Sequence, residues 1–171
     1  ALTEGQIRLI QRYTKNVTIL YDGDAAGIRA SFRGIDLILA QGLNVKVVLF
    51  PDGEDPDSYA QAHTSEELEE FIASNAKDFI VFKTDVLLED AENDPIKKSE
   101  LVHEIVDSIA LIPDMITRSV YLQECSAMMG IAEQTLISAM NKSRRDNQTK
   151  QQREDRRKAD RTVETRPPVG D

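Results

Sequence analysis

Two short apolar runs, each feeding straight into a loop dense in aspartate, constrain this chain more than anything else in it. Val17-Thr18-Ile19-Leu20 is β-branched and reads as a buried parallel strand, and it opens onto Tyr21-Asp22-Gly23-Asp24-Ala25-Ala26-Gly27. Behind that loop Ile28, Phe32, Ile35 and Leu39 recur at helical spacing, and Gly42 supplies a stop. Asp22 and Asp24 therefore stand where a strand turns into a helix, which is where open α/β sheets bind ligands. Gly23 permits the sharp backbone turn that brings both carboxylates to one side. Hard anionic oxygens in that position suit Mg²⁺ or Mn²⁺, which keep waters and are held by one or two carboxylates plus substrate phosphates. Turn chemistry, with Asp24 as a simple helix cap, is the competing account of the triplet alone.

The second acidic loop favours the metal. Val45-Lys46-Val47-Val48-Leu49-Phe50 reads as another strand and runs into Pro51-Asp52-Gly53-Glu54-Asp55-Pro56-Asp57. A right-handed strand–helix–strand crossover puts both strand ends on one edge of the sheet. Carboxylates gathered there repel one another unless a cation is present.

The pair YDGDAAG and PDGEDPDSY, separated by one helix and one strand, resembles the Toprim domain of bacterial DnaG-type primases, which make the RNA primers of DNA replication. Other Toprim enzymes, the type IA and type II topoisomerases, share the acidic pair but not the AAG that follows it. The motif match covers about residues 17 to 60, and the general layout extends to about 142. Carried over residue by residue, the resemblance makes Asp22 and Asp24 the catalytic, metal-binding aspartates, with Asp55 and Asp57 as supporting metal ligands. The family also uses a glutamate in an E-G-x-x-D motif. Glu4-Gly5 is followed by Arg8 where that aspartate should stand, and Thr3-Glu4-Gly5-Gln6 reads instead as a capping box. The resemblance thus places the glutamate upstream of this chain.

Charge divides the chain. The net charge is -9, and the excess of acid lies before residue 142, whereas residues 142–171 are net basic. Strong nucleic-acid affinity does not follow from such a balance. A single cysteine, Cys125, rules out an internal disulfide and any cysteine-based zinc site, so a family zinc would have to lie in an N-terminal part outside these residues. Cys125 itself reads as a half-buried structural thiol. No apolar run is long enough to span a membrane, which with the lone thiol fits a cytoplasmic protein.

The remaining chain reads as helix. Expected helices cover about 4–13, 25–41, 58–62 and one from Thr64, and from about Ala76 the pattern is purely helical. Phe79, Ile80, Phe82, Val86 and Leu87 form one apolar stripe, Leu101 to Ile112 a second, and Ile116, Val120, Tyr121 and Cys125 a third, with a last short helix at 131–140. His63 reads as a surface loop residue, and His103-Glu104 as a helix-surface pair. Arg29 and Arg33 read either as solvated charges, with Asp36 as a partner, or as contacts to a nucleotide phosphate or the template backbone. Apolar residues almost vanish after Lys142, which suits a solvated helix extension or a disordered linker.

The expected fold is an α/β Toprim-like parallel-sheet portion followed by an all-α helical bundle: 1–63 the C-terminal half of a Toprim domain, 64–142 a helical subdomain, 143–171 a charged linker. The expected function is that of a primase fragment: metal-dependent nucleotidyl transfer on a single-stranded DNA template, with nucleoside triphosphates as substrates and an RNA primer as product. The fragment alone is expected to be inactive. The replicative helicase would be reached through a C-terminal domain absent here, and no membrane is involved. Two other readings use the same residues: another Toprim enzyme (a topoisomerase or nuclease), or a non-catalytic helical interaction module with solvated acidic loops.

Overall fold

The computed structural model describes residues 2–22, 25–51 and 53–164. Thr3 caps the first helix, α1 (Glu4–Gln11), through the expected capping box with Gln6. Then follow β1 (Asn16–Tyr21), α2 (Ala25–Ala40), β2 (Asn44–Leu49), α3 (Pro56–Ala62), α4 (Ser65–Asn75), β3 (Lys77–Asp78), α5 (Phe79–Ala91), α6 (Pro95–Ala110), α7 (Met115–Met129) and α8 (Glu133–Glu164). This is the expected small sheet followed by helices, and the strand and helix starts around the acidic loops fall within two residues of their expected places.

β1 and β2 pair in parallel, joined by α2 as a crossover. Gly42, at φ 82, makes the tight turn from α2 into β2 that a side chain would strain. The core face of α2 carries Ile28, Phe32, Ile35, Ile38 and Leu39, all buried. Phe32 meets Phe79 edge to face at 5.7 Å, which brings α5 onto the same layer. The buried cluster then runs without interruption through Ile105, Ile109, Leu122 and Cys125 to Leu136 and Met140.

Three expectations need correction. The segment after Ala76 is not purely helical: Lys77 and Asp78 pair antiparallel with Val47 and Lys46, so the sheet is mixed. Two residues carry no periodicity, and only the exposed edge of β2 recruits them. The stripe containing Ile116 and Val120 is not the core face of α7; these two are 71% and 60% exposed, while Arg118, Leu122, Cys125 and Met129 are buried. α5, α6 and α8 cover α7 on one side only, and that side is set by the longer array from 118 to 129. Finally, the last helix is not short: it runs on past Met140 as the solvated extension that was one of the two readings of the stretch after Lys142. α8 runs 32 residues, to Glu164, roughly 48 Å of helix, and every side chain from Arg145 to Val163 is exposed.

Two arginines tie the end of α6 and the turn that follows it. Arg118 donates to the carbonyls of Ile112 (2.7 Å) and Pro113 (2.8 Å), and Arg144 donates to the carbonyl of Ala110 (2.7 Å). The last carbonyl of α6, at Ala110, and those of Ile112 and Pro113 in the turn beyond it thereby find charged donors.

Candidate active site at the sheet edge

Register builds the site. Tyr21 lies opposite Leu49, and the Phe50 N–H donates to the Tyr21 carbonyl at 2.9 Å. The two parallel strands therefore end level, roughly 4.8 Å apart, and Asp22 leaves one as Pro51 leaves the other. Asp22 is exposed. Asp24, with Gly23 and Asp52, lies outside the described residues.

Behind Asp22 the strand end is anchored. The Tyr21 hydroxyl donates to Ser31 Oγ at 2.6 Å, and Ser31 in turn donates to the Ile28 carbonyl in the first turns of α2. Burial raises the Tyr21 phenol above its ordinary pKa, against a smaller lowering by Ser31, so this tyrosine is a neutral strut at neutral pH.

The second loop closes on itself. It leaves the sheet at Phe50 and rejoins the fold at Tyr59, and the two rings meet at 5.5 Å, with Phe71 4.7 Å from Tyr59. His63 belongs to this cluster: its ring stacks on Tyr59 at 3.9 Å, and Nδ1 lies 3.0 Å from the Tyr59 carbonyl, so it is half-buried packing rather than a free loop residue. Within the loop Asp55 caps α3. Its Oδ1 accepts the Ser58 N–H at 2.6 Å, and Ser58 Oγ accepts the Asp55 N–H at 3.0 Å. These bonds hold the Asp55 carboxyl below the usual range. Asp57, in the first turn of α3, accepts from Gln61 at 3.4 Å and is otherwise open to solvent.

The donor chemistry fits a hard divalent cation, since Asp22 and Asp57 offer exposed carboxylates at one sheet edge. Among the described residues, however, no three carboxylate, imidazole or thiol groups gather as a cage. Asp55 has one oxygen committed to its helix. The residues present thus suit an ion held by one or two carboxylates, water and phosphate oxygens. They do not suit an all-protein coordination shell.

Of the two readings of the arginines, solvated charge holds for Arg33, while the pairing with Asp36 does not form. Arg29 pairs with Asp90 of α5. Arg33 is exposed, and its expected partner Asp36 turns the other way. Asp36 accepts from Ser108 Oγ at 2.8 Å and lies 3.7 Å from Lys83 Nζ. Lys83 is 1% exposed; it donates to Ser108 at 2.8 Å, lies 3.5 Å from Glu104 and sits over the Phe32 ring at 5.2 Å. Glu104 is consequently an ion-pair partner and not merely half of a surface pair. Sequence reasoning missed this network. The available signal was that Phe79, Ile80, Phe82 and Leu87 leave α5 no clean polar side, so that Lys83 had to face the interior.

Cys125 is fully buried, 3.7 Å from Thr84 Oγ1, and burial pushes its thiol up to about 11. Tyr121 donates its hydroxyl to Asp78, whose other oxygen caps α5 at Ile80 and Val81.

Comparison with known proteins identifies what shares this arrangement. A family described as Toprim-like matches residues 1–60, and one described as the DnaB-helicase binding domain of primase matches residues 80–134. A DNA primase from Clostridium acetobutylicum is 33% identical over 144 residues, covering 82% of this chain and 24% of the relative. The first curated relatives are each matched over about a quarter of their length. Among solved structures, a DNA primase domain from Pseudomonas aeruginosa superimposes with a TM-score of 0.70 over 82% of this chain and 45% of that one; at 23% identity it speaks for the fold. A DnaG primase catalytic domain bound to single-stranded DNA is similar at 26% identity and a TM-score of 0.64, over 74% of this chain and 42% of that one. These matches bear out the resemblance drawn from the two acidic motifs. They also correct one expectation: a helicase-binding match lies inside this chain, in the helices read as plain bundle packing, and is not absent from it. Among the described residues no helix is long and apolar enough to cross a membrane.

Proposed function

We propose that this chain, a stretch of a bacterial DnaG-type primase, supplies the acidic half of that enzyme's nucleotidyl-transfer site and a surface for the replicative helicase. One observation carries the first part: the level ends of β1 and β2, joined by the Phe50–Tyr21 hydrogen bond, from which both acidic loops depart side by side. In the complete protein, Asp22 and Asp24 would hold Mg²⁺ or Mn²⁺, with Asp57, and the oxygen of Asp55 not used in capping, acting from the neighbouring loop. Such an ion, when bound, neutralises charge on the triphosphate and on the attacking and leaving oxygens. The chain's own residues orient those carboxylates. Tyr21 and Ser31 fix the strand end, and Asp55 with Ser58 sets the direction in which α3 leaves the loop.

A ribonucleotide 3′-hydroxyl attacking the α-phosphate of a nucleoside triphosphate, on a single-stranded DNA template, is the reaction these groups suit. It needs no side-chain nucleophile; among the described residues Cys125 is buried and Tyr21 is held neutral. Residues 1–63 then form the C-terminal half of the Toprim domain, 64–142 the helical subdomain and 143–171 the charged extension, and this chain alone makes no primers. Isothermal titration of the chain with Mn²⁺ tests the reading. Saturable binding lost in Asp22→Asn supports it, whereas linear, non-saturating heats would leave the loops as solvated acid and favour an interaction module.

A further inference from the structure

Within residues 80–134 the large apolar side chains that stay exposed are Ile96, Met115, Ile116 and Val120. Single exposed apolar residues are ordinary. Ile116 and Val120 are not single: at i and i+4 they form one ridge on the outer face of α7. The next positions along the chain, Thr117 and Tyr121, wall a pocket of about 220 Å³ with an apolar side of Leu39, Leu43, Ile112 and Pro113 and a polar rim that includes Asn44 and Asp114. Its floor is built, because Leu39, Leu43 and Ile112 are buried in the core and the Tyr121 hydroxyl is fixed on Asp78. A preformed pocket with an apolar floor and a polar rim, beside an exposed apolar ridge, is the anatomy of a protein-docking site, where an anchor side chain fills the pocket and the ridge is dried by the partner.

We propose that the Ile116–Val120 ridge and the adjoining pocket are the surface on which the replicative helicase docks, an apolar helicase side chain entering the pocket. The proposal rests on the helicase reading above. The description that matches residues 80–134 names a helicase as the partner, the inward faces of α5, α6 and α7 are spent on the core, and this ridge is the paired apolar surface those helices leave outside. Because Leu39 lies in the last turn of α2 and Leu43 in the turn that leads into β2, a side chain in the pocket touches the sheet portion and the bundle at once.

The test is isothermal titration of the chain with purified DnaB helicase. Ile116→Asp and Val120→Asp alter exposed positions, so their thermal unfolding midpoints should stay close to that of the unsubstituted chain. Ile96→Asp, at a 73% exposed position on α6, is the off-surface control. Affinity should fall at least about tenfold for each ridge variant and stay within about twofold for the control. Full helicase affinity in a folded Ile116→Asp chain would overturn the surface and leave helicase binding standing. Failure of the unsubstituted chain to bind helicase would overturn the helicase reading and the surface with it. Self-association that the ridge variants abolish in sedimentation, with helicase affinity kept, would make a second copy the occupant and also overturn the proposal.

Discussion

Lys83 donates to Ser108 Oγ at 2.8 Å, and the Ser108 hydroxyl donates to Asp36 at the same distance, so a lysine in α5 reaches a carboxylate in α2 through a serine in α6. Three elements are pinned by one chain of hydrogen bonds inside the core. Removing the cation leaves the partly buried Asp36 carboxylate without its counter-charge and the Ser108 hydroxyl oxygen without its donor. Lys83→Ala should destabilise the chain by about 3–5 kcal/mol, and Lys83→Met, which keeps the packing of the stem over Phe32, by less. Urea unfolding of both variants checks the order.

The same network makes stability depend on pH. Burial raises the Asp36 carboxyl above the ordinary range, more than Lys83 and Ser108 pull it back. A raised acid binds its proton more tightly in the folded state, so its contribution is fully present below the unfolded carboxylate pKa of about 4. That contribution is lost as pH rises through the raised value. Unfolding free energy measured across that window should fall less steeply with rising pH in Asp36→Asn than in the unsubstituted chain.

Asp22→Asn should leave the fold intact, since the Asp22 side chain makes no described hydrogen bond or ion pair and is exposed. In the complete enzyme it should lower primer synthesis by about 100-fold or more, the scale of losing one charged group that acts on transition-state charge. Primer yield with Mg²⁺, beside the unfolding midpoint, separates the two effects. Loss of folding would make Asp22 structural, and wild-type priming would end its catalytic assignment.

Asp55 has two separable roles. Asparagine caps a helix as well as aspartate does, and alanine does not. Asp55→Ala should therefore loosen the start of α3, visible as faster amide exchange at Ser58, while Asp55→Asn should not. Any loss of priming in Asp55→Asn reports the charge alone, and about 10–100-fold is expected for a supporting ligand. The depressed pKa of this group adds that its stabilisation is present above the ordinary carboxylate range and lost as pH falls through the lowered value.

The outer half of α8 is helical without burial. Its last described tie to the body is Arg144 on the Ala110 carbonyl, and isolated helix gains little from propensity alone. Truncation after Asn147 should leave the thermal midpoint within a few degrees, and amides beyond that point should exchange rapidly. Slow exchange through 148–164 would show that something holds this helix.

The features legible in the residues alone are those whose signal is local. The strand, the acidic turn and the amphipathic face of α2 are each carried by consecutive residues, and Thr3, Thr64 and Asp55 announce helix starts through side chains that bond only three residues away. The acidic motifs were legible for the same reason, although the structure describes Asp22, Asp55 and Asp57 and not Asp24. The tertiary structure alone decided the rest. β3 exists because an edge of β2 needed a partner, and no periodicity fits in two residues. Arg29 became an ion-pair partner because α5 brings Asp90 to it from 61 residues away. Lys83 is buried because donors and acceptors from two other helices converge on it, and burial of a charge is tolerable only once those partners are in place. On α7, helical spacing defined two candidate apolar faces, and the neighbours chose between them. Which side of a helix is inside depends on what packs there, a contact between distant residues that no single stretch of sequence records.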